Sequence, residues 1–240
     1  MTGVDARTRE LYDRLTRVQE RLRLACRRSG GDPAAVTLVA VTKEVGVDDL
    51  RRVLGLGVRD IGENRAQEMV RKYEVVGDEA RWHFIGHLQT NKVKYVVDKT
   101  RLIHSLDRPS LAEELQRRAE RRGLVVQALI QVNTSGEESK FGLPPEEVPE
   151  FREWLKRCRN IRVRGLMTMA PFFDDPEETR PIFRRTKELF DRLRADDEGF
   201  DLLSMGMTND FEVAVEEGAN IVRIGRAIFG ERDDPGEVVP

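Results

Sequence analysis

Residues 201–225 read DLLSMGMTNDFEVAVEEGANIVRIG. Two short apolar runs, DLLSMG and NIVRIG, have the composition of buried β-strands, and residues 209–217 between them carry apolar side chains three or four positions apart. That spacing is typical of an amphipathic helix, so the stretch predicts a strand, a helix and a second strand. A helical crossover of this kind joins strands that run parallel in one sheet.

The same strand-then-helix pattern extends over most of the chain. The candidate strands are VTLVAVTK (36–43), VRDIGEN (58–64), RWHFIG (81–86), RLIHSL (101–106), LVVQALIQVN (124–133), IRVRGLM (161–167), DLLSMG (201–206) and NIVRIG (220–225). Helical spacing follows in segments that include 47–56, 109–122, 145–157 and 177–194. Eight such units in one uninterrupted chain predict an α/β protein, a single (β/α)8 TIM-type barrel, more strongly than an open sheet.

An additional helix is predicted ahead of the barrel, over residues 5–29, where apolar side chains recur at helical spacing until Gly30 and Gly31 end the pattern. The C-terminal tail RDDPGEVVP (232–240) is expected to fray. Because no low-complexity linker divides the 240 residues, we expect one domain over 1–240.

Composition excludes several classes of partner. The 41 basic and 43 acidic residues give a net charge of −2, so no overall field attracts nucleic acid or an anionic membrane. Cys26 and Cys158 are the two cysteines, and they lack the spacing of a disulfide framework or a metal site. The charged N-terminal segment has no apolar stretch suited to a signal peptide or a membrane span, so we expect a cytoplasmic protein.

Polar residues close each predicted strand. The first strand ends in Thr42 and Lys43, the second in Asn64, the sixth at Met167 and the residues after it, and the third in a segment with His83 and His87. In a (β/α)8 barrel the active site lies at the carboxyl ends of the strands. A lysine at a strand end usually marks only the point where the chain reaches solvent. Lys43, however, lies at the carboxyl ends of the predicted strands, where the active site of such a barrel is expected.

The last two units carry the clearest binding signal. Gly206 and Gly225 each lie between a strand and a following helix, and Thr208 is the expected N-cap of the first of these helices. Backbone N–H groups and helix dipoles converge at such turns, with hydroxyls from Ser204 and Thr208 nearby. One glycine turn would need no ligand, but two in adjacent units predict a phosphate site.

A lysine amine and a phosphate site on one rim suit a phosphorylated aldehyde, because the amine can attack the carbonyl group while the phosphate is held. Pyridoxal 5′-phosphate (PLP) has both groups. A sugar phosphate in a Schiff-base aldolase is the alternative on the same barrel.

Six blocks of sequence resemble one known family. They are AVTK (40–43), IGENRAQE (61–68), WHFIGHLQTNK (82–92), IQVNTSGEESKFG (130–142), RGLMTM (164–169) and SMGMTNDFEVAVEEGANIVRIGRAIFG (204–230). Together they closely resemble the YggS/PROSC family of PLP homeostasis or PLP-binding proteins, in the same order over roughly residues 10–231. The resemblance implies a fold similar to the N-terminal barrel of alanine racemase, with Lys43 holding PLP as an internal aldimine.

The resemblance also implies the cofactor contacts. The predicted set, besides Lys43, is Asn64, Met167, Ser204, Gly206, Met207, Thr208, Arg223, Gly225 and Arg226, with no metal ligand. The chain departs from the family pattern at Arg65, where many relatives have tyrosine, and at Arg226, where many have threonine. Arg226 is expected to pair with the phosphate or to point to solvent. Lys140 is either a solvated loop charge or a residue that takes part in handing over the cofactor.

The same features predict a carrier more than an enzyme. By resemblance Arg223 faces the pyridine nitrogen, which a guanidinium leaves unprotonated and therefore a weak electron sink. Racemisation needs a second acid or base, and the three tyrosines, Tyr12, Tyr73 and Tyr95, all lie in predicted helices. We expect a monomeric protein that binds PLP and passes it to apo-enzymes. The alternative is a small racemase or decarboxylase that uses Lys43 and a histidine of WHFIGH.

Overall fold

The computed structural model describes residues 5–137 and 141–231. Within those residues the chain forms eight β-strands that close into a barrel in sequence order, and β1 pairs with both β2 and β8. All the strand pairs are parallel. The strands are β1 (Thr37–Val41), β2 (Asp60–Glu63), β3 (Arg81–Phe84), β4 (Thr100–Leu106), β5 (Val126–Val132), β6 (Ile161–Thr168), β7 (Leu202–Ser204) and β8 (Ile221–Ile224).

Helices surround the barrel and connect its strands. In the described part of the chain these are α1 (Ala6–Ser29), α2 (Val47–Gly55), α3 (Ala66–Val76), α4 (Val93–Val96), α5 (Pro109–Arg122), α6 (Val148–Leu155), α7 (Arg180–Arg194), α8 (Phe211–Glu216) and α9 (Arg226–Phe229). The (β/α)8 barrel predicted from the spacing of apolar residues is therefore confirmed, and each predicted strand is present. No helix among the described residues is long and apolar enough to cross a membrane.

The leading helix α1 follows the predicted boundaries. The Asp5 carboxylate accepts hydrogen bonds from the backbone N–H groups of Arg7 and Thr8, which would otherwise lack partners in the first turn. At the other end Gly30 takes the left-handed conformation, with φ +71°, and its N–H group bonds back to the last turn. The buried face of α1 packs against α2, α8 and α9, so the helix covers the junction of the first and last barrel units.

The buried side chains form two apolar clusters, and several polar side chains of the strands are buried as well. An apolar cluster of strand residues lies apart from the main core and consists of Val39, Leu102, Leu129, Met167 and Ile221. The larger core lies between the strands and the helices, where residues such as Trp82 and Phe183 are almost fully buried. Polar side chains of β3, β4, β7 and β8 are also buried, namely His83, His104, Ser204 and Arg223.

Three helix starts differ from the prediction, and the first is that of α6, which begins at Val148 rather than at residue 145. The helix α8 begins at Phe211, with Asp210 in the N-cap position, so the prediction that Thr208 caps it is wrong. The Asp210 carboxylate accepts the N–H group of Met207, which turns residues 207–210 into a loop before the helix. The helix α7 starts at Arg180 rather than at residue 177, because residues 176–179 form a 3-10 turn capped by Asp175. The predictions for Lys140 and for the tail 232–240 concern residues outside the described part of the chain.

Candidate functional site

A cavity of about 540 Å³ opens at the carboxyl ends of the barrel strands. Seven of the ten predicted site residues line it: Lys43, Asn64, Met207, Thr208, Arg223, Gly225 and Arg226. They come from the ends of β1, β2, β7 and β8, which are far apart in sequence and meet because the barrel closes β8 onto β1. The volume lies in the range of about 300–1,000 Å³ that is typical of small-molecule sites.

Lys43 lies two residues after Val41, the last residue of β1, and is half-buried in the cavity wall. The preceding residue, Thr42, is fully buried, so the chain is anchored immediately before the lysine. Among residues 5–137 and 141–231, no carboxylate or hydroxyl lies within hydrogen-bonding distance of Lys43 Nζ. The amine is therefore available to a molecule that occupies the cavity.

Arg223 lies at the base of the cavity and is almost completely buried. Its Nη1 atom donates to Ser204 Oγ at 2.6 Å and its Nη2 atom donates to the backbone carbonyl of Thr168 at 2.9 Å. Burial lowers the pKa of Arg223 to about 10, while the charge of Asp210 acts in the opposite direction. The guanidinium is still protonated at neutral pH, so a ligand atom that meets it must be a hydrogen-bond acceptor.

A chain of buried hydrogen bonds continues from Arg223 toward the other end of the barrel. Its members, in order, are Arg223, Ser204, His104, His83 and Asp60. The three contacts beyond Ser204 are 3.0, 2.9 and 2.9 Å long. When both imidazoles are neutral, every hydrogen in the chain points the same way, from the guanidinium toward the Asp60 carboxylate.

The two ends of this chain carry opposite charges. Burial, reinforced by the charges of His83 and Arg223, lowers the pKa of His104 well below its usual 6.5, so this imidazole is neutral at pH 7. Burial alone would raise the pKa of Asp60, but the hydrogen bonds and charges of His83 and Arg81 outweigh that effect and lower it. The hydrogen-bonded residues between the ends therefore connect a buried cation to a distant carboxylate, which fixes the orientation of the guanidinium.

The loops after β7 and β8 lie next to each other in the cavity wall. Gly206 has φ +93°, and a Cβ atom on it would lie 2.6 Å from Ala214 Cβ and 2.8 Å from Phe211 Cα. Only glycine allows the chain to turn this close to α8. The backbone N–H of Ala227 in α9 points to Thr208 Oγ1 at 3.5 Å, which brings the two loops together.

Three predicted residues do not line the cavity. Ser204 is fully buried and its hydroxyl contacts His104 and Arg223, so its predicted contact with a phosphate stays a prediction. Met167 is fully buried in the apolar cluster of strand residues, while Met169, two positions later, lines the cavity. Side chains of a strand point alternately to its two faces, and Met167 points into the barrel below the rim. Gly206 shapes the wall through its backbone.

Several residues of the wall lie outside the predicted cofactor-binding set, and one of them, His87, was considered only for the alternative enzyme. His87 lines the cavity, and its ring stacks on that of Phe141, with 4.0 Å between the ring centres. Phe141 and Phe172 are exposed by 55% and 71%, and both lie at the mouth in loops after β5 and β6. A phenylalanine in a predicted loop could have indicated these wall residues. The prediction of the site considered only the last residues of each strand, so it did not include them.

Two buried polar atoms in the cavity wall have no hydrogen-bond partner among the described residues. They are Asn64 Oδ1 and His87 Nδ1. The nearest charged group to the latter is the Asp107 carboxylate, at 3.6 Å. Since buried polar atoms are nearly always satisfied in native proteins, these two atoms indicate a bound polar ligand or ordered water. No group of three or more His, Cys, Asp or Glu side chains in the described segments is arranged to hold a metal ion.

The chain matches known proteins over most of its length. The family model described as "Alanine racemase, N-terminal domain" matches residues 14–233. A curated relative from Aquifex aeolicus, named pyridoxal phosphate homeostasis protein, is 48% identical over 222 residues, which cover 92% of this chain and 97% of the relative.

Two solved structures are similar over most of their length. A protein from Bifidobacterium adolescentis described as unknown has a TM-score of 0.89 and 35% identity, and the match covers 95% of this chain and 98% of that one. PipY of Synechococcus elongatus, solved with PLP bound, has a TM-score of 0.76 and 33% identity, and the match covers 89% of this chain and 100% of PipY. The resemblance inferred from the sequence blocks is confirmed: the chain belongs to the alanine racemase N-terminal domain family and, within it, to the group of pyridoxal phosphate homeostasis proteins.

Proposed function

We propose that this protein binds PLP in the cavity at the carboxyl end of its barrel, holds it on Lys43, and acts as a carrier without substantial turnover. The observation that carries the proposal is the meeting, in one cavity of about 540 Å³, of a lysine amine without a partner among the described residues, a buried guanidinium and the loops after β7 and β8. PipY, which is 33% identical, has been solved with PLP bound.

The residues of the wall fit the chemical groups of PLP. Lys43 Nζ would meet the aldehyde and Arg223 would donate to the ring nitrogen. Asn64 offers a buried amide oxygen that has no partner among the described residues. The phosphate would lie between the two glycine-containing loops, lined by Met207, Thr208, Gly225 and Arg226. PLP supplies an aldehyde with which a primary amine condenses, forming a C=N bond as the aldehyde oxygen and two amine hydrogens leave as water.

The remaining predicted residues would act indirectly. Ser204 holds the Arg223 guanidinium, and Gly206 allows the turn that brings Met207 and Thr208 to the wall. Met167 fills the barrel below the cavity. The side chain of Arg226 is exposed at the rim, where it can pair with a phosphate while still contacting water.

Two features support a carrier. The Arg223 guanidinium can only donate, so it leaves a ring nitrogen without a proton and weakens the ring as an electron sink. The tyrosines are absent from the lining of the described cavity: Tyr12 lies in α1, Tyr73 in α3 and Tyr95 in α4. A tyrosine base of the kind expected for racemisation is therefore not supplied by these three side chains.

His87 favours a second candidate function. Its imidazole lines the same cavity as Lys43, and its Nδ1 atom is buried without a hydrogen-bond partner in the described residues. A histidine so placed could move a proton on a bound amino acid, as a small racemase or decarboxylase requires. Turnover of about one per second or more with any common amino acid, abolished by His87→Gln, would favour this candidate over the carrier.

The decisive experiment compares visible absorbance spectra of the wild-type protein, Lys43→Ala and Lys43→Arg after addition of PLP. We expect a band at about 420 nm in the wild type alone, and after borohydride reduction a stable label on Lys43. Lys43→Arg keeps the charge but cannot condense, so it separates covalent attachment from attraction of the phosphate. The same band in all three proteins would refute attachment at Lys43. A labelled sugar phosphate trapped in place of PLP would favour the aldolase.

The partners and location belong to this proposal as well. We expect a monomer in the cytoplasm whose recipients are apo-enzymes that require PLP, with no binding to nucleic acid or membranes. The two cysteines, Cys26 and Cys158, are buried free thiols, which is compatible with a reducing compartment. Light scattering measures the oligomeric state, and activation of an apo-enzyme by the loaded protein measures the transfer.

A further inference from the structure

The residue after Lys43 has an unusual backbone conformation. Glu44 has φ +62°, and it is the one non-glycine residue with a positive φ in the described part of the chain. This region of φ and ψ is unfavourable for a residue with a Cβ atom, and such residues persist only where the surrounding structure holds them. Contacts with neighbouring residues must therefore hold Glu44, the residue next to the proposed attachment lysine, in this conformation.

Two acidic residues and a lysine hold the backbone on both sides of Lys43. Glu68 Oε1 accepts the N–H group of Glu44 at 2.6 Å and accepts Lys72 Nζ at 2.8 Å. Lys72 Nζ also donates to the backbone carbonyl of Thr42 and, at 2.7 Å, to Glu63 Oε1. Thr42 Oγ1 donates to the same Glu63 oxygen at 2.6 Å. We name Glu63, Glu68 and Lys72 the Lys72 clamp.

Two of the three residues of the Lys72 clamp are buried. Lys72 is 5% exposed and Glu63 is not exposed at all. An ammonium group has three hydrogens, and all three are used on the two carboxylates and the Thr42 carbonyl. Lys72 therefore has no hydrogen left for a ligand, which excludes a direct role in the cavity and leaves an effect on the backbone.

A role in overall stability alone does not account for this arrangement. A buried ion cluster contributes little stability compared with apolar side chains of similar volume, because desolvation offsets the attraction between the charges. The Lys72 clamp instead fixes a carbonyl before Lys43 and an N–H group after it, so it determines the direction in which the Lys43 side chain leaves the backbone. A reactive group held in place before its ligand arrives loses less entropy on binding.

We propose that Lys72 and Glu68 are positioning residues that hold Glu44 in the left-handed conformation and thereby direct Lys43 into the cavity. This inference rests on the proposed attachment of PLP to Lys43. Without the clamp, Glu44 relaxes to a negative φ, and Lys43 reaches the cavity only in a minor part of the population. The affinity for PLP then falls in proportion to the fraction of molecules in which Lys43 reaches the cavity.

The test measures the dissociation constant of PLP, by titration of the band at about 420 nm, in Lys72→Met and in Glu68→Ala. We expect at least a tenfold increase in both, equivalent to about 1.4 kcal/mol, at a temperature where circular dichroism shows each variant to be folded. Lys156→Met is the control, since Lys156 also forms an ion pair with a nearby glutamate, Glu153, but lies at the end of α6 rather than beside Lys43. It should bind PLP like the wild type. Glu68→Ala carries the test if Lys72→Met fails to fold.

A second background separates positioning from general damage. Glycine adopts positive φ readily, so in Glu44→Gly the left-handed conformation no longer depends on the clamp. Adding Lys72→Met to Glu44→Gly should therefore raise the dissociation constant by about threefold or less. An equal increase in both backgrounds, or none in either, would overturn the inference. If the wild type itself has no band, it is the proposed function that fails.

Discussion

Replacement of Gly206 by alanine tests how the turn after β7 shapes the cavity. The new Cβ atom would have two costs. The positive φ of +93° is unfavourable for alanine by about 1–2 kcal/mol. Contacts of 2.6 Å with Ala214 Cβ and 2.8 Å with Phe211 Cα add an overpacking cost of about 1–3 kcal/mol, because the backbone of α8 must move. The free energy of unfolding should fall by about 2–5 kcal/mol.

Gly218 provides a matched control. Its φ is +95°, but the Cβ atom of an alanine there would meet only the far end of the Lys187 side chain, which can move away. Gly218→Ala should therefore show the conformational cost without most of the overpacking cost. The difference between the variants, about 1–3 kcal/mol, corresponds to a melting temperature about 2–12 °C lower for Gly206→Ala. Differential scanning calorimetry of the two proteins without PLP measures it.

The two variants should also differ in PLP binding. Met207 and Thr208 follow Gly206 and line the cavity, so a displaced loop weakens the affinity, whereas Gly218 lies outside the cavity wall. We expect weaker binding in Gly206→Ala alone, at a temperature where both variants are folded. Equal melting temperatures would refute the overpacking argument. Unchanged PLP affinity in a destabilised Gly206→Ala would refute the proposed role of the loop.

Two further predictions concern the hydrogen-bond chain from Arg223 to Asp60. Ser204→Ala leaves an Arg223 N–H group and His104 Nδ1 without partners, so unfolding should become about 1–3 kcal/mol easier in urea, and a midpoint equal to that of the wild type would contradict this. Because the pKa of His104 in the folded protein is well below 6.5, the unfolded chain takes up a proton below pH 6.5 that the folded chain does not. The free energy of unfolding should therefore fall with decreasing pH, by up to about 1.4 kcal/mol per pH unit, and His104→Asn should remove that contribution. Urea titrations at several pH values between about 6.5 and 5.5 compare the two proteins, and identical slopes would exclude His104 as the source.

Local patterns in the sequence were sufficient for the fold. The helix α5 was predicted with the bounds observed, since Pro109 starts it and Gly123 ends it. The strands were found because each is a short apolar run between turn residues. Lys43, Asn64 and Arg223 were placed at strand ends, and the barrel closure predicted from eight units brings those ends to one rim.

Two contacts that spacing along the chain did not predict have a common physical cause. The Ser204 hydroxyl bonds to residues of β4 and β8, a pairing that depends on which side chains face inward in a closed barrel. The N-cap of α8 was placed at Thr208, although the Asp210 carboxylate turns back to the N–H of Met207. In both cases a polar side chain had more than one possible hydrogen-bond partner, and spacing along the chain does not show which partner it takes.

The sequence alone determined the barrel, the rim on which its polar residues gather and the lysine at the end of the first strand, because these depend on hydrophobic periodicity and turn residues within short segments. Only the tertiary structure decided which buried atoms satisfy one another. Lys72 is an unremarkable charge on a predicted helix, and it becomes the residue that holds the Lys43 backbone only because α3 packs beside β1 and β2. Hydrogen bonds between segments distant in sequence are set by side-chain direction and burial, which appear once the chain has folded.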